Sequence, residues 1–133
     1  MPLCVTAGGV VLALALESFT LAWTHSIEKV RWEEDYRIEG PALRLTEARI
    51  RGSGAGMDPP QGARLEHGVW HYTPTLPELP VLRLTQSRFA QGYELCHDGS
   101  CRPLIDHLPG VADGIIEITA CAAAAGKGLP GTE

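Results

Sequence analysis

Apolar and polar residues alternate with a period of two over much of this chain, the spacing of half-buried strands. Phe19, Leu21 and Trp23 alternate with Thr20, Ala22 and Thr24. His25 shares the Trp23 face if the strand runs that far, and Ile27 follows before a charged stretch from Glu28 to Asp35. Tyr36 and Ile38 restart the alternation, which stops at Gly40-Pro41. From Ala42 to Arg51, Leu43 and Leu45 hold one face while Ala48 and Ile50 fall in the opposite phase. That flip predicts a bulge at Thr46 or Glu47. Arg64 to Glu66 and Val69 to Tyr72 flank His67-Gly68, a two-residue hairpin connection. Thr73 to Pro80 carries three prolines and reads as an extended linker or edge segment. Further strands are predicted at Val81 to Thr85, Tyr93 to Cys96, Cys101 to Leu104 and Gly114 to Thr119. No amphipathic helix longer than two turns and no internal repeat is present. The expected architecture is therefore all-β, with about eight to ten short strands in a sandwich or partly closed barrel.

The apolar run Pro2 to Leu16 lacks a basic leading region, is broken by Gly8-Gly9 and is shorter than the ~20 residues of a spanning helix. It reads as a first strand around Cys4 and a buried strand from Val10 to Leu16, not as an anchor or a signal peptide. With 133 residues the chain is one ordinary domain, expected over residues 1–121 with a flexible tail over 122–133. Hydrophobic residues are 44% and charged residues 20% of it, which excludes wholesale disorder. The net charge is −5 and the 11 basic residues are scattered. A nucleic-acid partner is thereby excluded, because it requires a basic stripe to displace counterions.

Four cysteines allow three pairings. Cys96 and Cys101 bracket the turn His97 to Ser100, which places them opposite each other across a hairpin and within bridging reach. Cys4 and Cys121 lie on the first and just past the last strand, where a second bridge would clasp the chain ends. The alternative is four unpaired thiols in a reducing compartment. Neither spacing is that of a thioredoxin-like or zinc-ribbon motif.

Two segments hold candidate chemistry. Between Trp23 and Tyr36, one imidazole, four carboxylates and two indoles fall within fourteen residues. On a strand, a turn and a returning strand, His25, Glu28, Glu33 and Glu34 converge, an arrangement suited to acid–base work or to a cationic partner. The competing reading is a charged hairpin tip, with Lys29 and Arg31 neutralising their neighbours and Trp23 and Trp32 closing the core. The second segment is Gly52-Ser53-Gly54-Ala55-Gly56, ahead of Met57-Asp58-Pro59-Pro60, whose glycines let backbone N–H groups approach an anion. It is neither a dinucleotide-binding turn nor a P-loop, since no helix and no Lys-Ser/Thr follow. Its competing reading is a tight bend. No metal is assigned, because one histidine among irregularly spaced carboxylates lacks the register of a metal motif. No cofactor is assigned either. His67 and His71 read as surface or edge residues and His97 as part of a turn.

The runs LAWTHSIEKVRWEEDYRIEG, EARIRGSGAGMDPP and YELCHDGSCRPL, in this order, resemble a family of small bacterial proteins of unknown function. Those proteins are encoded beside the membrane subunits of TAXI-type TRAP transporters, which take up solutes with an extracytoplasmic binding protein. The resemblance runs from about Leu3 to Cys121. It implies that His25, Ser26, Glu28, Trp32, Glu33 and Glu34 form a first family motif. Gly52, Ser53, Gly54, Gly56 and Pro59 form a second, and Cys96 and Cys101 a third. It also implies a place outside the cytoplasm, in the periplasm or on the outer face of the inner membrane, although relatives carry an apolar leader that this chain lacks. The function it implies is an accessory module that binds the membrane subunit, the solute-binding protein or the solute. The alternative is a small hydrolase or lyase acting on the solute. Its base would be His25, oriented by Glu28 or Glu34, with Ser26 or a water as attacking group. No catalytic constellation is complete, so the non-enzymatic reading comes first.

Overall fold

The computed structural model describes residues 2–24, 30–51, 62–74, 77–86, 92–108, 110 and 114–121. Chain reversals within them fall where residues tolerate positive φ. Gly8-Gly9, His67-Gly68 and Asp98-Gly99 each place two successive residues at φ between 53° and 82°. These are two-residue turns whose twist matches that of the strands they join. Gly40, at φ 60°, precedes Pro41 at a fourth tight reversal.

These turns separate eleven strands, one more than the upper end of the count from sequence. They are β1 (Leu3–Ala7), β2 (Val10–Leu14), β3 (Ser18–Thr24), β4 (Arg31–Glu39), β5 (Ala42–Arg51), β6 (Arg64–Glu66), β7 (Val69–Tyr72), β8 (Leu82–Gln86), β9 (Glu94–His97), β10 (Ser100–Pro103) and β11 (Gly114–Ala120). They form two antiparallel sheets: a four-stranded one ordered β2-β1-β11-β8 and a seven-stranded one ordered β10-β9-β3-β4-β5-β7-β6. The domain is thus all-β and single, and its sheets stay open instead of closing into a barrel. No helix among the described residues is long and apolar enough to cross a membrane.

The core lies between the sheets. Leu3, Val5, Ala7, Leu84, Ile116 and Ile118 from one sheet pack on Phe19, Leu21, Tyr36, Leu43 and Leu95 from the other. Phe19 and Tyr36, opposite each other on β3 and β4, stack with ring centroids 5.4 Å apart. Leu104 and Leu108, at either end of a short 3-10 turn (Leu104–His107), are fully buried in the same cluster. Leu79 of the proline-rich segment exchanges two backbone hydrogen bonds with Leu43, both 2.8 Å, which docks that segment beside β5.

The bulge falls at Thr46. Asp35 pairs with Glu47 and Tyr36 with Leu45, so Thr46 is the extra residue, and its Oγ1 donates to the Asp35 carbonyl at 3.2 Å. By this insertion Leu43, Ala48 and Ile50 all reach the buried side despite their opposite phases. Two expectations are corrected. The charged stretch expected between strands from Glu28 to Asp35 is, from Arg31 onward, the first half of β4, paired on both sides, and Glu28 and Lys29 at the hairpin tip lie outside the described residues. The run from Val10 onward is an edge strand, not a buried one: its residues alternate between half-buried and exposed, and Val11 is 54% exposed. The tail over 122–133 lies outside the described residues.

Both expected disulfides are present. Cys4–Cys121 joins β1 to the residue after β11 with Cα atoms 5.8 Å apart, and Cys96–Cys101 crosses the β9–β10 hairpin at 4.0 Å. They span 117 and 5 residues of sequence. By loop-closure entropy the long bridge stabilises by about 5 kcal/mol and the short one by about 2 kcal/mol. Urea unfolding of the Cys4→Ala/Cys121→Ala and Cys96→Ala/Cys101→Ala variants should show the first losing at least twice as much stability as the second.

Candidate functional site

On β4, alternation sends Arg31, Glu33, Asp35, Arg37 and Glu39 to one face of the sheet and Trp32, Glu34, Tyr36 and Ile38 to the other. Beyond the bulge, β5 sends Glu47, Arg49 and Arg51 to the same outer face. Register sets Arg49 opposite Glu33 and His71 of β7 opposite Arg49.

The result is a continuous ionic ladder. Arg49 grips Asp35 with two parallel hydrogen bonds of 2.7 Å, the forked geometry that guanidinium and carboxylate share. Glu33 accepts from three guanidinium groups: Arg49 at 2.9 Å, Arg31 at 3.0 Å and Arg51 at 3.1 Å. Arg31 also reaches Glu94 at 2.9 Å, and Thr20 Oγ1 donates to Asp35 at 2.6 Å. Glu47 meets His71 Nδ1 at 2.7 Å. Partial burial alone would raise the carboxyl pKa values of Glu33 and Asp35. Hydrogen bonds outweigh it and hold both below the usual range, from Arg49, Arg31 and Arg51 on Glu33 and from Arg49 and Thr20 on Asp35. Arg49 is pushed further up, first by its bond to Asp35. At the far end of β4, Arg44 and then Arg37 hold the partly exposed Glu39 down to about 2.

The opposite face is aromatic. Trp23 and Trp32 stack across β3 and β4 at 6.1 Å, and Tyr93 meets Trp23 edge-on at 5.6 Å. Glu34 sits on this face and accepts a 2.7 Å hydrogen bond from Tyr36 Oη. Burial raises the Tyr36 phenol, and the Glu34 bond raises it further.

Of the residues expected to converge, Glu33 and Glu34 point to opposite faces, while Trp32 and Glu34 share one. His25, Ser26, Glu28, Gly52, Ser53, Gly54 and Gly56 lie outside the described residues. Asp35, Arg49, Glu47 and His71 were not singled out from sequence. Their signal was the alternation R-x-E-x-D in one segment against E-x-R-x-R in another, opposite charges at strand spacing.

Beside the ladder, a recess of about 660 Å³ runs from Ala15–Ser18 past Thr20, Asp35 and Thr46 to His97 and Asp98. Glu94, Cys96 and Cys101 bring an oxygen and two sulfurs within 4.8 Å of one another. The sulfurs are bonded to each other, so the disulfide form offers a cation no thiolate, and Arg31 Nη2 stands 3.8 Å from Cys101 Sγ. Among the described residues no hydroxyl or thiol is hydrogen-bonded to a histidine, so no nucleophile–base pair is assembled there.

The sequence model of a domain of unknown function, DUF1850, matches residues 19–104. This stretch takes in the seven-stranded sheet from Phe19 onward and β8, and leaves β1, β2 and β11 outside. Neither the curated proteins nor the solved structures contain a match to this chain.

Arg49 carries the ladder, since Asp35 keeps only Thr20 without it. Arg49→Met should destabilise by about 1–3 kcal/mol, less than a fully buried pair because Asp35 retains contact with water. Glu33 and Asp35 hold their protons less tightly folded than unfolded. Their contribution is therefore complete above about pH 5 and is lost as pH falls through their depressed values. Urea midpoints at pH 7, 5 and 3 should fall in the wild type below about pH 4 and fall less steeply in Arg49→Met.

Proposed function

The chain belongs to the DUF1850 family, and from that premise we propose that it is a non-enzymatic accessory module. It works outside the cytoplasm and binds a component of a TAXI-type TRAP uptake system. The observation that carries the non-enzymatic part is the ionic ladder. Its two central carboxylates, Glu33 and Asp35, are held in the charged form by guanidinium groups, so neither is poised to exchange a proton near neutral pH. A rigid sheet whose charges neutralise one another suits presentation of a surface better than turnover.

Two further features support the reading. Both disulfides fit an oxidising compartment, where such bridges persist. The three segments around Trp32, Ile50 and Cys96 resemble proteins encoded with such transporters, which favours the membrane subunit or the solute-binding protein as partner.

The test is recovery of partners. The tagged protein, co-expressed with the membrane subunit and the solute-binding protein of such a system from the same genome, should retain one of them through mild purification. Deletion of its gene should lower solute uptake. Recovery of the protein alone in an assay sensitive to micromolar contacts, with unchanged uptake in the deletion strain, would overturn the proposal.

A further inference from the structure

Seven carboxylates lie on the strands of the seven-stranded sheet: Glu33, Glu34, Asp35, Glu39, Glu47, Glu66 and Glu94. Five have a guanidinium partner at 2.6–2.9 Å, supplied by Arg49, Arg44, Arg64 or Arg31, and Glu47 has the His71 ring at 2.7 Å. Glu34 is the exception among them. It has the Tyr36 hydroxyl and no cation among the described residues, although it stands on the aromatic side, where a lone carboxylate is costly.

The surroundings of Glu34 are set by register. Trp32, Ile50 and Trp70 form one row across β4, β5 and β7, and Glu34, Ala48 and Tyr72 form the next. Ala48, between them, is small and fully buried, and the backbones of Glu34 and Tyr72 stand about 9–10 Å apart on the same face. The Tyr72 phenol is raised by burial and then by Glu34, so the carboxylate acts on it across that gap. Trp32, Trp70 and Tyr72 keep partial exposure, and none belongs to the apolar cluster between the sheets. Leu65 of the edge strand β6, opposite Trp70, extends the same face and is 57% exposed.

We propose that Glu34, framed by Trp32, Trp70 and Tyr72, receives the guanidinium or ammonium group of a basic side chain on a partner polypeptide. The proposal rests on the accessory reading above and names the contact through which it acts. The carboxylate supplies the charge that is missing on this face, and the indole and phenol faces attract the same cation through their quadrupoles. Partly exposed tryptophan and tyrosine beside an exposed leucine on an edge strand is the composition of a protein-docking surface. A sheet face continuing to its edge suits a polypeptide better than a free small cation, which needs an enclosing pocket.

The chain has three tryptophans, and Trp23, Trp32 and Trp70 all lie on this face, so intrinsic fluorescence reports occupancy directly. The probe is an extended peptide alternating leucine and arginine, compared with the same peptide carrying citrulline for arginine. The arginine peptide should shift the emission and bind about tenfold tighter than its neutral counterpart. Glu34→Gln keeps an acceptor for the Tyr36 hydroxyl and so should preserve the fold, and in it the two peptides should bind alike. Trp70→Leu should weaken the arginine peptide with Glu34 still in place. Equal affinity of both peptides for the wild type, a preference retained in Glu34→Gln, or arginine amide binding as tightly as the peptide would overturn the proposal. Should the peptides fail while a transporter subunit still co-purifies, the accessory reading stands and its contact lies elsewhere.

Discussion

Strand β4 lies at the centre of the seven-stranded sheet, and its strict alternation of charged and aromatic side chains governs what surrounds it. Charges at 31, 33, 35, 37 and 39 need counter-charges on the neighbouring strands, and the bulky residues between them need cover on the other side. A slip of one residue would turn Glu33 and Asp35 toward the core and Tyr36 into water, so one register alone satisfies both faces. The bulge at Thr46 follows from this demand. The first half of β5 must bury Leu43 beside Ile38, while its second half must bury Ile50 beside Trp32 and turn Arg49 toward Glu33. A regular strand with this sequence does one or the other. The inserted residue permits both, and its hydroxyl fastens the irregularity to the Asp35 carbonyl.

Features governed by near neighbours were legible in the sequence. His67-Gly68 and Gly40-Pro41 marked their turns because few residue pairs accept the backbone those turns require. The phase change between Leu45 and Ala48 announced the bulge. The Cys96–Cys101 bridge followed from the hairpin that holds it. Where distant partners decide, the reading failed. Arg31 to Asp35 looked like a connection because charged residues are poor strand formers in isolation. Their stability in β4 comes from Arg49, Arg51 and Glu94, up to some sixty residues away in sequence. Val10 to Leu14 looked buried from its composition, yet burial depends on place in the sheet, and β2 is at the edge. The expected convergence of Glu33 with Glu34 was the most avoidable error. Adjacent residues on a strand point to opposite faces, so once the stretch is extended the two cannot share a site.

The two sheets divide the labour of the molecule. The seven-stranded sheet carries the ionic ladder, the aromatic face and, with β8, every strand of the family-defining stretch. Three strands of the smaller sheet lie outside that stretch and contribute apolar residues to the core. On the larger sheet the electrostatics are asymmetric. The outer face is closed upon itself, each acid matched by a base within hydrogen-bond distance. On the aromatic face, among the described residues, Glu34 has a phenol and no guanidinium for company.

The Cys4–Cys121 bridge has a mechanical consequence. It joins the chain within a few residues of each end of the described β domain, and everything between belongs to one covalent loop. A pull applied at both ends is borne by a carbon–sulfur path only a few bonds long. The hydrogen bonds of the sheets, which would otherwise shear or unzip in turn, carry almost none of that load. Under tension the domain behaves as a short inextensible link, keeping its faces intact at forces that would unravel an unbridged sandwich.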